Sequence, residues 1–458
     1  MSRQERTRGI LRRRAATSMV SRRFTLPAQR FIQTETVSGL VLLLAALAGI
    51  VWVNSPWSDS YHDLWAITLT MDLHVVDLTE DLRHWVNDAL MVFFFLVAGM
   101  EIKRELVHGE LSDRRQAILP ATAALGGMAL PALIFLAFNA GHAGQDGWGI
   151  PMATDTAFAL GVLAFAAPRI PPEVRVFLLA LAIFDDIGAL VIIAIFYAGD
   201  LSFEAIGVAA ALLALIILMR QMGVVSLAPY LVVGFAVWAA FLESGIHPTI
   251  AGVILGLLTP ATARLPKEDF LRHADSLNDD FRQALAREDE GRADYALGEM
   301  EELVVSTEPP TERLQRLLHA PTSFVIVPLF ALANSGLDFS GSALQDSLAS
   351  RIALGIFVGL LVGKFFGIVS FTWISVRLGL GALPGRMHWR HVAGAALLAG
   401  IGFTVSLFVA GLAFDEESLQ AEARMGIFAA CLAAGIIGAI ALRLLSRSDS
   451  DAIEVSAD

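Results

Sequence analysis

Two adjacent aspartates, Asp185 and Asp186, stand in the middle of an apolar run from Val174 to Ala198, VRVFLLALAIFDDIGALVIIAIFYA. Such a run can cross a bilayer as a helix, because about 20 apolar residues span roughly 30 Å. An ionised carboxylate at mid-membrane depth is expensive, so such groups are rare and face a polar cavity, a partner or an ion path. Neighbouring helical positions point about 100° apart, so the two acids cannot share one small pocket. A single buried acid can be structural. Two in succession point to the handling of ions or protons.

Composition agrees with a polypeptide in lipid. The chain is 55% hydrophobic and 17% charged, with a mean hydropathy of +0.63, against about 25% charged residues in a soluble domain. The single cysteine, Cys431, leaves neither a disulfide framework nor a thiolate metal site. The net charge of −12 gathers in two solvated segments, 261–320 with fourteen acids against eight bases, and the tail from Asp449 with four acids. Neither segment suggests a nucleic-acid partner, and no cofactor is expected.

Hydropathy predicts an all-α polytopic membrane protein with about twelve spans, near 36–54, 86–101, 117–138, 149–167, 174–198, 203–219, 224–242, 247–260, 322–337, 352–376, 392–413 and 425–442. With the amino terminus inside, the external loops hold only Arg83, Arg351 and Arg424 of the 33 Lys and Arg residues, and Lys364 lies within a span. That asymmetry places both termini in the cytoplasm. The chain then divides into a basic tail (1–35), spans one to eight (36–260), a charged cytoplasmic loop (261–320), spans nine to twelve (321–444) and an acidic cytoplasmic tail (445–458). The nine arginines of residues 1–30 fit an organellar leader or a cytoplasmic tail, and the tail is the simpler reading. Loose alternation over 62–78 suggests a small external β-hairpin.

Two spans look broken. Span four, GWGIPMATDTAFALGVLAFAA, carries Pro151 and the polar run Thr154-Asp155-Thr156, while span eleven, AGAALLAGIGFTVSLFVAGL, carries Gly400, Gly402 and Thr404 at its middle. Glycines in membrane helices commonly serve close packing. Here each break falls in the central span of a three-span unit, three to five and ten to twelve, and the two units enter from opposite sides. Interrupted helices at matching positions of inverted repeats mark a transporter's midplane site.

The stretches WVNDALMVFFFLVAGMEIKREL, GWGIPMATDTAFALGVLAF, ALAIFDDIGALVIIAIFY, SGIHPTIAGVILG, VPLFALANSG and LAGIGFTVSLFVAGLAF together resemble the NhaA-type sodium/proton antiporters, in order, from about Thr36 to Leu444. The inverted-repeat rule was drawn partly from this family and is no independent support for it. The resemblance implies exchange of cytoplasmic Na+ or Li+ for external H+ across a bacterial inner membrane, by a homodimer joined partly through an external hairpin. It matches Asp185 and Asp186 to the family's ion- and proton-binding aspartates, and Asp155, with Thr154 before it, to the acid where the broken helices cross. Lys364 matches a lysine of span ten. Asp88, Glu101, Arg104 and Glu105 match charged positions along span two, with His247 at the start of span eight and His319 beside span nine.

Each assignment has its own physics. Na+ is a hard cation that takes oxygen ligands, which the aspartates and the Thr154 hydroxyl supply, and Asp185 and Asp186 are the expected ligands of the transported Na+. If H+ and Na+ use the same oxygens, binding of one excludes the other and their gradients are coupled. Each broken helix leaves backbone ends carrying about half a charge. Asp155 suits facing amino-terminal ends, and Lys364 either suits facing carboxyl-terminal ends or pairs with Asp185. Lys364 lies too deep in its span for snorkelling to be the better reading. Glu101, Arg104 and Glu105 are a solvated cap or a gate, and His247 a cap beside Pro248 or a functional group. The family pattern is broken at Gln315 and Arg316, where members often carry an acid and a histidine, and at Phe365, which follows Lys364 in place of a proline. A membrane aspartyl protease would need facing acids such as Asp155 and Asp186 sharing one proton, which leaves Asp185, Lys364 and the broken helices unexplained. An open channel leaves a buried, gated acid site unexplained.

Overall fold

The computed structural model describes residues 35–72, 77–167, 170–224, 226–339 and 350–455; nearly all of the expected basic tail lies outside them. Helix α1 (Glu35–Val53) turns through 116° into α2 (Ser58–Trp65). Strands β1 (Thr68–Asp72) and β2 (Asp77–Asp81) pair antiparallel with Thr70 opposite Thr79. Helices α3 (Leu82–His108) and α4 (Arg114–Asn139) follow. A 3-10 stretch, Gln145–Met152, then leads through residues 153–155 into α5 (Thr156–Ala166). Next come α6 (Pro172–Phe196), α7 (Phe203–Gln221), α8 (Leu227–Leu242) and α9 (Thr249–Leu258). The amphipathic α10 (Lys267–Ala286) packs on α11 (Glu290–Thr307). The chain ends through α12 (Pro310–Asn334), α13 (Arg351–Arg377), α14 (Trp389–Ala399), α15 (Phe403–Ala413) and α16 (Glu417–Val455).

Seven of these helices are long and apolar enough to cross a membrane, and the number reaches ten if each of three bent pairs is one span. Two further apolar helices, α8 and α9, are shorter. The chain is therefore a multi-pass membrane protein. The structure corrects several sequence-based limits. The hairpin lies at 68–81 rather than 62–78, because Ser58–Trp65 is helical and buries Tyr61 and Trp65 on one face. Helix α3 exceeds the expected 86–101 at both ends, where its charged turns find ionic partners that hydropathy does not register: Arg83 meets Glu417 at 3.5 Å, and Arg104 meets Glu105 at 3.2 Å. Helix α12 starts at Pro310, ten residues before the expected end of the charged loop, as an amphipathic turn sequence that runs straight into the apolar span.

Both expected breaks are present. The 3-10 stretch and α5 meet at 42°, and α14 and α15 at 45°. Their extended middles lie against each other, and the buried Ile150, Ala153, Leu360, Ile401 and Phe403 surround the crossing. The contact is possible because residue 402 has no side chain: a Cβ there would stand 2.4 Å from the Ala153 carbonyl oxygen. Helices α4 and α13 approach as closely, and a Cβ at Gly367 would stand 2.1 Å from the Gly126 carbonyl oxygen. Three long helices contain a π-helical turn, Trp85–Leu90 in α3, Thr322–Ile326 in α12 and Gly359–Gly363 in α13. Such a turn shifts the helical phase, and two of them lie at functional candidates: Asp88 is inside the first and Lys364 directly follows the last.

Gly402→Ala and Gly367→Ala should each lower the melting temperature in detergent by several degrees, because a backbone oxygen has to move aside. Gly411→Ala, where nothing lies within 4 Å, is the control. Melting of Gly402→Ala at the temperature of that control would contradict the close crossing.

Candidate functional site

At the crossing the backbone ends of four helical segments lie away from water, and each needs a partner. The Asp155 N–H donates to the Ile401 carbonyl at 2.6 Å, tying the two breaks together. The Asp155 carboxylate serves both amino-terminal ends. Its Oδ1 accepts the Phe158 N–H at 3.2 Å and so caps α5; its Oδ2 accepts the Thr404 N–H at 3.2 Å and the Thr404 hydroxyl at 2.7 Å, in the first turn of α15. One negative charge thus lies between two positive helix ends. Sequence reasoning noted Thr404 only as a polar interruption. Its position two residues after Gly402 was the available signal for a second cap.

The carboxyl side is held by Thr154, Asp185 and Lys364, all at most 1% exposed. Lys364 Nζ donates to Asp185 Oδ2 at 2.6 Å and to Thr154 Oγ1 at 2.5 Å. The Thr154 hydroxyl lies 2.6 Å from Asp185 Oδ2 and 3.0 Å from the Ala399 carbonyl at the end of α14; with one proton it can donate to only one of them at a time. Lys364 therefore pairs directly with Asp185, and through Thr154 it lies near the Ala399 carbonyl at the end of α14. Full burial leaves no room for snorkelling. Asp185 Oδ1 is buried and has no hydrogen-bond partner.

Asp186 faces elsewhere, as the 100° step requires. It lines a small cavity of about 20 Å³ with Phe94, Phe95, Ala98, Ala189 and Val405, between α3, α6 and α15, enough for one water molecule or a bare cation. The two aspartates thus do not form one ligand set: Asp185 is engaged by Lys364 and Thr154, and Asp186 opens on a different space. Among the described residues no group of three or more His, Cys, Asp or Glu side chains could hold a metal ion.

The remaining candidates form two separate groups. His247 Nε2 lies 3.5 Å from Asp88 Oδ1, while its Nδ1 lies 2.8 Å from the Thr249 hydroxyl and accepts the Thr249 N–H at the start of α9. His247 is a cap that also touches an acid. Its ring packs edge-on against Phe408, which also meets Phe95 and Phe330; Phe95 in turn lines the Asp186 cavity. Along α3, Arg104 pairs with Glu105 at 3.2 Å and Glu101 at 3.8 Å and donates to Gln315 at 3.5 Å. Beside that cluster opens a larger cavity of about 460 Å³ lined by Glu105, His108, Asp113 and Gln116. Arg316 is held by both Glu308 oxygens, Nη2 to Oε2 at 2.7 Å. His319 is half-buried on α12 and belongs to neither group. A pair missed in the sequence, Asn87 and Asn334, exchanges amide hydrogen bonds of 3.4 and 2.8 Å between α3 and α12.

The family model for Na+/H+ antiporter 1 matches residues 29–442. The chain belongs to this family, the NhaA antiporters. It is 47% identical to the Na(+)/H(+) antiporter NhaA of Anaeromyxobacter sp. (strain Fw109-5) over 93% of this chain and 92% of that relative. It is 45% identical to Na(+)/H(+) antiporter NhaA 2 of Pseudomonas putida over 90% and 91%, and 43% identical to NhaA 3 of Frankia alni over 92% and 89%. The protein is accordingly a Na+/H+ antiporter, a transporter rather than an enzyme. In this NhaA antiporter Asp185 and Lys364 meet at Thr154, next to Asp155 at the crossing, while Asp186 opens on a separate cavity and Asp88, His247 and the Glu101 cluster form contacts of their own.

Lys364→Ala should destabilise the protein by about 3–5 kcal/mol, the usual cost of leaving one member of a buried pair alone, seen as a lower melting temperature in detergent. Na+ and Li+ should keep their rank order in transport, since every ligating oxygen remains. Unchanged melting with reversed ion preference would show that Lys364 shapes the cation site itself.

Proposed function

We propose that this antiporter exchanges cytoplasmic Na+, or Li+, for external H+ by direct competition at Asp186, with Asp185 as second carboxylate. The observation that carries this reading is the placement of Asp186, a carboxylate on a cation-sized cavity at the crossing, beside an acid whose charge Lys364 already balances. A proton on Asp186 removes the anion that Na+ requires, and Na+ on its oxygens displaces the proton. Asp185, with one oxygen unpartnered, can join the ion when it leaves Lys364. A cycle that returns two protons for each Na+ carries net charge, which makes the exchange electrogenic.

The same reading extends to topology. The seven long helices, α1, the two broken pairs 145–166 and 389–413, and the short α8 and α9 make twelve crossings. Units 114–196 and 351–444 are the inverted repeats, both termini lie in the cytoplasm, and the protein sits in the bacterial inner membrane. Na+ enters past Glu105 and Glu101, one to two turns of α3 from Ala98, which lines the Asp186 cavity. The Phe95, Phe330 and Phe408 rings close the opposite side. The hairpin β1–β2 supplies part of a homodimer contact. Exchange of this kind serves sodium and pH homeostasis.

Two measurements in proteoliposomes with a pH-sensitive dye test the proposal. Asp186→Asn keeps the side-chain shape but removes the titratable charge, and should abolish Na+-driven proton movement while the protein still folds; retained exchange would sink the assignment. In the unaltered protein, apparent Na+ affinity should weaken about tenfold per pH unit below the site pKa if one proton is displaced. An affinity that ignores pH across that range would exclude competition.

A further inference from the structure

Helices α10 and α11 stand off the membrane-spanning helices as an antiparallel helical hairpin that is fixed at its root. The Arg264 and Leu265 N–H groups donate to the Ser306 carbonyl at 3.1 and 3.0 Å, the Thr311 N–H donates to the Pro260 carbonyl at 3.2 Å, and Arg316 of α12 holds Glu308. The seam between the two helices is thin, with Ala284, Ala293 and Ala296 as its buried side chains. Larger apolar groups stay outside it. Leu271, Leu285, Leu297 and Val304 are 66, 58, 48 and 56% exposed.

Helical phase gathers these four. At about 100° per residue, Leu271 and Leu285 flank the seam-facing stripe of Phe270, Ala274, Phe281 and Ala284 on α10. Leu297 and Val304 flank Ala293 and Ala296 on α11 in the same rotational sense. In an antiparallel pair equal offsets fall on one face, so the four make a single apolar stripe. The exposed Asp275, Glu290, Asp294 and Glu301 border it, with Arg282 among them. Residues 267–307 hold twelve acids against five bases. The anionic cytoplasmic leaflet repels a segment this acidic, so a lipid surface is the wrong cover for the stripe. A basic, partly apolar polypeptide is the right one.

The chain carries such a segment. Residues 1–34 hold nine arginines and one acid, with Ile10, Leu11, Met19, Val20, Phe24 and Leu26 set between the arginines. They precede α1, which runs parallel to α12. Asn54 Nδ2 donates to the Leu337 carbonyl and Ser335 Oγ to the Ala46 carbonyl, and the same packing reaches the turn Thr322–Ile326. The tail therefore starts on the side of the membrane where α12 starts and the helical hairpin is rooted. Thirty-four residues can span more than about 100 Å, against about 30 Å for the length of α10.

We propose that the acid-bordered apolar stripe of the α10–α11 hairpin is the docking surface for this chain's basic amino-terminal tail. Arginines of the tail meet the bordering acids, and its apolar side chains cover Leu271, Leu285, Leu297 and Val304. The contact needs only that tail and helical hairpin share a side of the membrane, and it is independent of how Na+ and H+ exchange.

The test compares amide hydrogen exchange across residues 267–307 in the full-length antiporter and in a variant lacking residues 2–30, both in detergent without added lipid. A tethered tail has an effective concentration of about 1 mM, so a contact with a Kd of about 100 µM should slow exchange in the full chain about tenfold. A synthetic peptide of residues 1–30 should restore the protection in the shortened protein. Arg12→Gln, Arg13→Gln, Arg14→Gln, Arg22→Gln and Arg23→Gln together should abolish it in the full chain, which keeps the test open should the shortened protein fail to fold. Leu297→Ser with Val304→Ser should weaken binding of the peptide. Raising salt from about 0.05 to 0.5 M shortens the Debye length from about 14 to 4 Å and should reduce the protection severalfold. Equal exchange with and without the tail, or with and without its five arginines, overturns the proposal and leaves the stripe bare or covered by a second copy. Protection that appears only in vesicles of anionic lipid also overturns it, because the membrane surface is then the tail's partner.

Discussion

The Asp155 carboxylate, with hydrogen bonds reaching both α5 and α15, is the contact on which the rest of the site depends. Breaking two helices at mid-membrane depth frees backbone groups that neither lipid nor a neighbouring turn can satisfy. Asp155 meets the amino-terminal ends through Phe158 N–H, Thr404 N–H and the Thr404 hydroxyl, and Thr154 with Lys364 meets the carbonyl end at Ala399. Once these ends are balanced, the crossing can keep short extended segments beside the aspartates of α6. Without them the chain would favour continuous helices and the polar space would close.

Constraint falls off stepwise across the three acids. Asp155 is held by donors on both oxygens and behaves as part of the scaffold. Asp185 shares one oxygen with Lys364 and Thr154 and leaves the other bare, so it is balanced yet able to change partner. Asp186 borders open space. The order follows from backbone geometry: adjacent positions on α6 cannot reach the same partners, so one acid is committed to the lysine and the next faces a separate cavity, where the proposed exchange would take place. Phe95, which lines that space, is held by an aromatic contact with Phe408, which also meets Phe330 and His247.

Much of this was legible in the chain because the signals were local. The divergence of Asp185 and Asp186 follows from helical phase, and the breaks announced themselves as Pro151 and Thr154 in one span and Gly400 and Gly402 in another. What depended on distant partners was not legible. Thr404 as a cap on Asp155, 249 residues away, and the Asn87–Asn334 amide pair, 247 residues apart, leave no periodic trace. The limits of α3 were missed because hydropathy scores Arg83 and Arg104 as unfavourable without seeing the carboxylates that face them. The hairpin was placed early because residues 62–65 alternate like a strand but bury Trp65 on a helix. The resemblance to the antiporters matched Asp155 and Lys364 to positions of the family, while the reading of their charges came from the ends of the broken helices.

Competition between Na+ and H+ for one set of carboxylate oxygens is most directly tested without any gradient. Calorimetric titration of the purified protein with NaCl, repeated in buffers of different ionisation enthalpy, counts the protons released for each Na+ bound. At a pH where the site is largely protonated, the account predicts release of at least about one proton per Na+, lost together with Na+ binding in Asp186→Asn. Na+ binding with no proton release at any pH would contradict it.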